Sequence, residues 1–208
     1  KEYWLKRLDT LPTAPELPLL DDFSNENVRF ERNQFMIGKH EWDRFCDYAR
    51  ATGITPAAAV MAVYAATLAR WSRNKDFCIN LSILNRLNLH PEIGSIVGDF
   101  TNSSLLEVNS DRMQNFASFA LSLNRRLFDD LDHRSFTGVN VLRELQHRGN
   151  MTTLMPYVFT GAIGLIDIEK SALHGKMNNR GISQTAQVFM DCQAMDSKDG
   201  LNINLDSR

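Results

Sequence analysis

Cysteine is scarce: Cys46, Cys78 and Cys192 are the whole complement of 208 residues, and no CxxC pair occurs. An odd, scattered count excludes a disulfide scaffold and the usual zinc spacings, and it suits reduced thiols in a cytoplasmic protein. Histidine is equally dispersed: His40, His90, His133, His147 and His174 form no HxxxH or HExxH, which leaves no metal-ligating pair. A glycine-rich phosphate loop is missing, and neither a serine nucleophile elbow nor a Cys/His arrangement can be argued. Long hydrophobic runs are missing too. The longest, Ala57 to Ala69, is interrupted by Thr67 and falls short of the roughly 20 residues a bilayer needs. Charge of neither sign dominates: the net charge is −2 and basic residues do not cluster with aromatics, so nucleic acid and anionic membranes are not expected partners. No secretory signal opens the chain, and Lys1-Glu2-Tyr3-Trp4 begins as if inside a longer protein.

What is present is an ordinary globular composition, 43% hydrophobic and 23% charged, enough for a real core in one large domain or two small ones. Trp4, Leu5 and Leu8 have helical spacing. Leu11 to Leu20 carries three prolines at three-residue spacing, which favours an extended course and reads most simply as a linker. Val28 to Ile37 is a candidate strand. Glu41 to Thr52 is a helix burying Trp42, Phe45, Cys46 and Ala49, ended by Gly53. Thr55-Pro56 opens a second helix with the stripe Val60, Val63, Tyr64, Thr67, Leu68 and Trp71, and its many alanines imply close packing on a sheet. Phe77 to Leu84 and a stretch through Leu105 to Val108 read as strands. Asp111 is expected to cap a long helix to about Leu131, with Met113, Phe116, Ala117, Ala120, Leu123 and Leu127 inward. Ser135 is expected to start another, carrying Val139, Leu142 and Leu145 and closing near Gly149. A strand from Met155 to Thr160, a polar loop from Ile166 to Arg180, and strands Ser183 to Gln193 and Leu201 to Leu205 complete the chain. The order predicts an α/β (α+β) chain: a mixed β-sheet with helices packed mainly on one face. The chain stops at Arg208 directly after a strand, which reads as a boundary within a longer protein.

The strand Ser183 to Gln193 is the informative one. Ala186, Val188, Met190 and Cys192 alternate with Gln187, Phe189, Asp191 and Gln193, so one face is apolar and the other presents amide, carboxylate and amide in a row. A carboxylate in such a strand is disfavoured unless it is paired or functional, and for Asp191 a structural salt bridge weighs about as much as a site. Gln187 and Gln193 could orient a substrate amide or be solvated edge positions. Thr160 alone is a common strand residue. Asn85-Arg86 at a strand end could touch substrate, although a turn with a surface arginine is the simpler account. Asp99 in Gly98-Asp99-Phe100-Thr101 reads as a local backbone hydrogen bonder.

Five stretches in order resemble the heterocyclization (Cy) domains of nonribosomal peptide synthetases. Leu11 to Leu19 is similar to LPxxPxLPL, Thr55 to Ser72 to TPxxxLxxxYxxVLxxWS, and Gly98 to Thr101 to GDFT. Pro156 to Thr160 resembles PVVFT, and Ile182 to Asp191 resembles ISQTPQVxLD. The resemblance implies the second lobe of a chloramphenicol-acetyltransferase-like fold (residues 23–208), preceded by a linker (residues 1–22) from an N-terminal lobe bearing the DxxxxD motif. The family's final helix is expected beyond the chain. The implied activity is amide formation between carrier-bound substrates, then cyclodehydration of cysteine, serine or threonine to a thiazoline or oxazoline. Asp191 and Thr160 would be catalytic, and Gln187, Asn85 and Gln193 would contact substrate. No metal and no directly bound cofactor are implied. Substrates arrive on the phosphopantetheine of upstream and downstream peptidyl carrier domains, beside an adjacent adenylation domain. Cys192 and Gly161 depart from the histidine and serine usual there, and both flank the implied site in sequence. Two alternatives stand beside this: an ordinary condensation domain that stops at the amide, and a non-catalytic carrier-docking lobe. The lobe by itself is expected to be inactive.

Overall fold

The computed structural model describes residues 1–19, 29–111, 115–149, 154–164, 182, 185 and 187–208. The elements come in the expected order: α1 (Glu2–Leu5), β1 (Glu31–Gly38), α2 (Lys39–Ala51), α3 (Pro56–Trp71), β2 (Asp76–Leu84), β3 (Thr101–Asn109), α4 (Phe116–Asp132), α5 (Gly138–His147), β4 (Tyr157–Ala162), β5 (Met190–Ser197) and β6 (Gly200–Ser207). The strands form one six-stranded mixed sheet in the order β1-β6-β5-β4-β2-β3. β2, β4 and β5 run parallel, and the remaining pairs are antiparallel.

Local chemistry explains the helix ends. Thr55 accepts a hydrogen bond from the Ala58 amide and Pro56 takes the first helical position, so α3 starts where a side-chain cap and a missing N–H coincide. Gly53, at φ 73°, ends α2 in the left-handed region. Two expected caps are displaced. Asp111 is an exposed turn residue, and Asn115 caps α4 by accepting from Ser118 N at 2.9 Å. Thr137, not Ser135, caps α5. With those starts, Phe119 becomes an inward residue of α4 while Phe116 and Val139 are exposed. Met113, Val28, the expected loop Ile166 to Arg180, and Ser183, Gln184 and Ala186 lie outside the described residues.

The main core lies between one sheet face and α2, α3 and α4, around Trp42, Met61, Tyr64, Leu68, Phe77, Ile79, Leu106 and Phe119. Alanines 58, 59, 62, 65 and 69 of α3 are all buried, which lets the helix approach the sheet closely, as their number implied. The expected stripe on α3 is corrected in part. Val63, Thr67 and Trp71 are exposed and border an apolar groove with Leu17 and Phe35, because the alanines take the inward positions. A second, smaller core sits on the opposite sheet face, where α1 and α5 bury Trp4, Leu8, Val141 and Leu145 against Cys78 and Leu105 of β2 and β3. Three helices therefore cover one face, and α1 and α5 cover only the β2–β3 side of the other.

The proline segment runs between these two cores. Thr13 O accepts from Cys78 N at 2.7 Å, Glu16 O accepts from Arg73 N at 3.0 Å, and Ala14 packs against both clusters. Arg7 then joins α1 to the sheet and to α4, pairing with Glu107 at 3.0 Å and with the buried Asp130 at 2.6 Å. Burial pushes the Asp130 carboxyl up from its ordinary value, against the opposing pull of the Tyr3 hydroxyl and Arg7.

Candidate active site

Beyond the cover of α1 and α5, the sheet face away from α2 and α3 is polar. The strand register aligns Asn80, Val158, Asp191, Asp206 and Arg32 in one cross-strand row, and Ser82, Thr160, Gln193, Asn204 and Gln34 in the next. Period-2 alternation sends Cys192, Ala194, Leu201, Ile203 and Leu205 to the helix side and these two rows, polar except for Val158, to the other. The polar row expected on β5 is thus one of several that meet on neighbouring strands.

Asp191 is buried, at 7% exposure. Thr160, on the adjoining parallel strand, donates its hydroxyl to Asp191 Oδ1 at 3.4 Å, a long contact for O–H···O. Gln193 Nε2 donates to Asp191 Oδ2 at 2.8 Å. Asp191 makes no ion pair among the described residues. The hydroxyl and the carboxylate, 31 positions apart in sequence, are therefore neighbours on one face.

Beside them, Arg32 grips the fully buried Asp206, Nε to Oδ1 at 2.6 Å and Nη2 to Oδ2 at 2.5 Å. These hydrogen bonds raise the Arg32 pKa further from its already high value, partly offset by burial, so the guanidinium is charged at every working pH. Neither residue was picked out from the sequence. Asn202, Asn204 and Asp206 alternate with the apolar residues of β6, but their alignment with Asp191 depends on a pairing that no local signal carries.

The other expected contacts separate. Gln187 is an exposed turn residue ahead of β5, which begins only at Met190, so it does not join the Asp191 row. Phe189 also leaves the expected polar face: it packs on the main core, edge-on to Tyr157 at 6.3 Å and under Arg208 at 4.5 Å. Asn85 lies past the end of β2, its N–H bonded to Phe100 O at 2.8 Å and its Oδ1 buried without a partner among the described residues. Arg86 stacks on Phe100 at 4.1 Å and donates to Ile93 O and Ile96 O, holding the following loop. Asp99 accepts from Thr101 N at 2.8 Å, the local role its turn suggested.

Cys192 and Gly161 flank the dyad in sequence but face the helix side of the sheet. A Cβ built at Gly161 meets Phe159 Cε1 at 3.0 Å, and Cys192 belongs to the main core. Burial pushes the Cys192 thiol up to about 12 and the Cys78 thiol up as well. Both are neutral thiols near pH 8, so iodoacetamide is expected to spare them in the folded chain and label them after denaturation, read by intact mass. Native-state labelling at the rate of a free thiol would contradict this. Their raised folded values also add stability that is fully present below about 8.5, the unfolded thiol pKa, and is lost as pH climbs through the folded values. Among the described residues no group of three or more histidine, cysteine or carboxylate side chains could hold a metal.

A family model described as a condensation domain matches residues 1–204. Pyochelin synthetase PchF of Pseudomonas aeruginosa is 39% identical over 212 residues, covering 100% of this chain and 12% of its own length. Phenyloxazoline synthase MbtB of Mycobacterium tuberculosis is 35% identical over 211 residues, covering 100% of this chain and 15% of its own. The chain thus spans only a small part of these relatives. Among solved structures, the nonribosomal peptide synthetase FmoA3 superposes with a TM-score of 0.81 at 31% identity, over 100% of this chain and 22% of that one. The EpoB cyclization-docking bidomain from Sorangium cellulosum superposes with a TM-score of 0.79 at 25% identity, over 99% of this chain and 42% of that one. The first condensation domain of the CDA synthetase shares the fold, with a TM-score of 0.69 at 15% identity. A mixed sheet with this strand order and a family match over nearly every residue lead to one conclusion: the chain belongs to the condensation-domain family of nonribosomal peptide synthetases.

Proposed function

We propose that this chain is the C-terminal lobe of a heterocyclization domain, residues 23–208 of a chloramphenicol-acetyltransferase-like pair of lobes, with residues 1–22 leading in from the first. The amine of a cysteine, serine or threonine held on one carrier protein attacks the thioester on another, and the C–S bond breaks to give an amide and the free phosphopantetheine thiol of the donor carrier. The side-chain thiol or hydroxyl then adds to the amide carbonyl, and water leaves to give a thiazoline or oxazoline. Asp191 takes the proton from the ring nitrogen and supplies the proton with which the hydroxyl departs as water. Thr160 orients Asp191 Oδ1. Asn85, whose Oδ1 has no partner among the described residues, is a substrate contact. The carrier and adenylation domains of the same cytoplasmic assembly line are the partners, and the lobe alone, without the first lobe, is inactive.

The observation that carries this reading is the dyad: a buried carboxylate with a hydroxyl at 3.4 Å on the next strand, on a polar sheet face. The words phenyloxazoline and cyclization in the names of the relatives support the ring-forming class. The test is the mass of the product that the complete domain makes from carrier-bound substrates. A product lighter than the linear amide by one water is expected. The linear amide alone would return the chain to ordinary condensation. Ring product from an assembly line lacking both Asp191 and Thr160 would leave a docking lobe.

A further inference from the structure

We infer that Gln193, held by the Arg32–Asp206 pair, is a positioning residue that fixes Asp191 Oδ2 and leaves Oδ1, beside Thr160, as the oxygen that exchanges the proton. This rests on the proposed role of Asp191 and adds residues that the fold brings in from β1 and β6.

The register sets the problem. Asp191 stands directly opposite Asp206 across the β5–β6 pair, and Asp206 stands directly opposite Arg32 across the β6–β1 pair. Like charges facing each other on neighbouring strands destabilise a sheet. Arg32 answers this with a two-point grip on Asp206, the planar fork matching the carboxylate. The same guanidinium donates from Nη2 to Gln193 Oε1 at 3.3 Å. That contact dictates which way the amide points. Flipped, Gln193 would set its NH2 against a guanidinium and its carbonyl against two carboxylates. As placed, its NH2 reaches both acids, Asp191 Oδ2 at 2.8 Å and Asp206 Oδ2 at 3.4 Å.

Two consequences follow. Gln193 spends its carbonyl on Arg32 and both amide hydrogens on carboxylates, so it has little left for a substrate amide, the role its sequence position suggested. Among the described residues, Asp191 has one oxygen tethered and the other facing only a weakly held hydroxyl. A carboxylate fixed in that way presents a single oxygen in a single direction, which is what proton transfer to a bound intermediate requires. Stability alone does not call for this cluster, since a buried ion pair is often no better than well-packed apolar residues.

The test uses the complete domain with carrier-bound substrates and follows amide formation and ring closure separately. Gln193→Met keeps the length of the side chain and removes the amide. It is expected to slow ring closure by about 10- to 100-fold while the amide forms at the normal rate. In an Asp191→Asn background the same change is expected to add nothing, because its effect passes through Asp191. Arg32→Lys, which keeps the charge but loses the fork, is expected to show the same selective loss to a smaller degree. It decides the matter if Gln193→Met does not fold. Ring closure unchanged in these variants, both steps lowered together, or only a weaker half-saturation for the acceptor carrier would overturn the inference. The two proposals fail differently: ring closure that survives Asp191→Asn sinks the proposed function, whereas loss with Asp191→Asn but not with Gln193→Met sinks only the positioning role.

Discussion

Asp191→Asn in the complete domain is expected to slow ring closure by about 10²- to 10⁴-fold while the amide bond still forms. Asparagine has the shape of aspartate; its one oxygen can still accept from Gln193 while its NH2 faces the Thr160 hydroxyl, but it cannot pass a proton between ring nitrogen and departing hydroxyl. Quenched single-turnover mixtures analysed by mass would show linear amide accumulating where the ring product normally appears. Loss of both steps, or of neither, would count against the assignment. Folding supplies an independent control. Asp191 and Asp206 are directly opposed carboxylates, so removing one charge is expected to leave the thermal midpoint unchanged or raise it. A large fall in the midpoint would mean that Asp191 is a structural residue whose loss merely unfolds the sheet.

Trp4→Ala carries the largest expected change in stability, a loss of about 3–5 kcal/mol by denaturant titration. Trp4 is 1% exposed in the smaller core, donates from its indole to His133 O at 3.3 Å, and lies 4.8 Å from the Arg7 guanidinium carbon. Its side chain thus joins the first turn of the chain to α4, α5 and the sheet. The proline-rich stretch that follows reads as a linker in sequence, and a loose tether would tolerate the change within about 0.5 kcal/mol. A result in that range would show the first residues to be dispensable to the fold, contrary to their burial.

Much of the fold was legible because its signals are local. Phe77, Ile79 and Leu81 alternate along β2, Trp42, Cys46 and Ala49 recur at helical spacing, and Thr55-Pro56 marks a helix start in two residues. The misplaced caps fail for a related reason: Asp111 and Asn115, or Ser135 and Thr137, are all good caps, and only packing chooses between them. The length of β5 was overestimated because alternation continues through Gln187 and Phe189, while pairing with β4 and β6 begins at Met190. Thr160 and Asp191 could be paired in advance only through the family resemblance, since their spacing says nothing of adjacency. Arg32 was invisible as a site neighbour because 174 positions separate it from Asp206, and a charge on an edge strand looks solvated until the sheet order is known.

Adjacent positions on β5 send opposite chemistries to the two sides of the sheet, Asp191 and Gln193 one way and Cys192 and Ala194 the other. Threading that strand one residue out of step would press a carboxylate and an amide into hydrocarbon and leave Arg32 and Asp206 looking at a thiol and a methyl group. Misaligned forms are therefore penalised by the very side chains proposed for the chemistry. Errors of assembly and errors of catalysis are screened together, and a molecule that reaches the native alignment already carries its dyad in place.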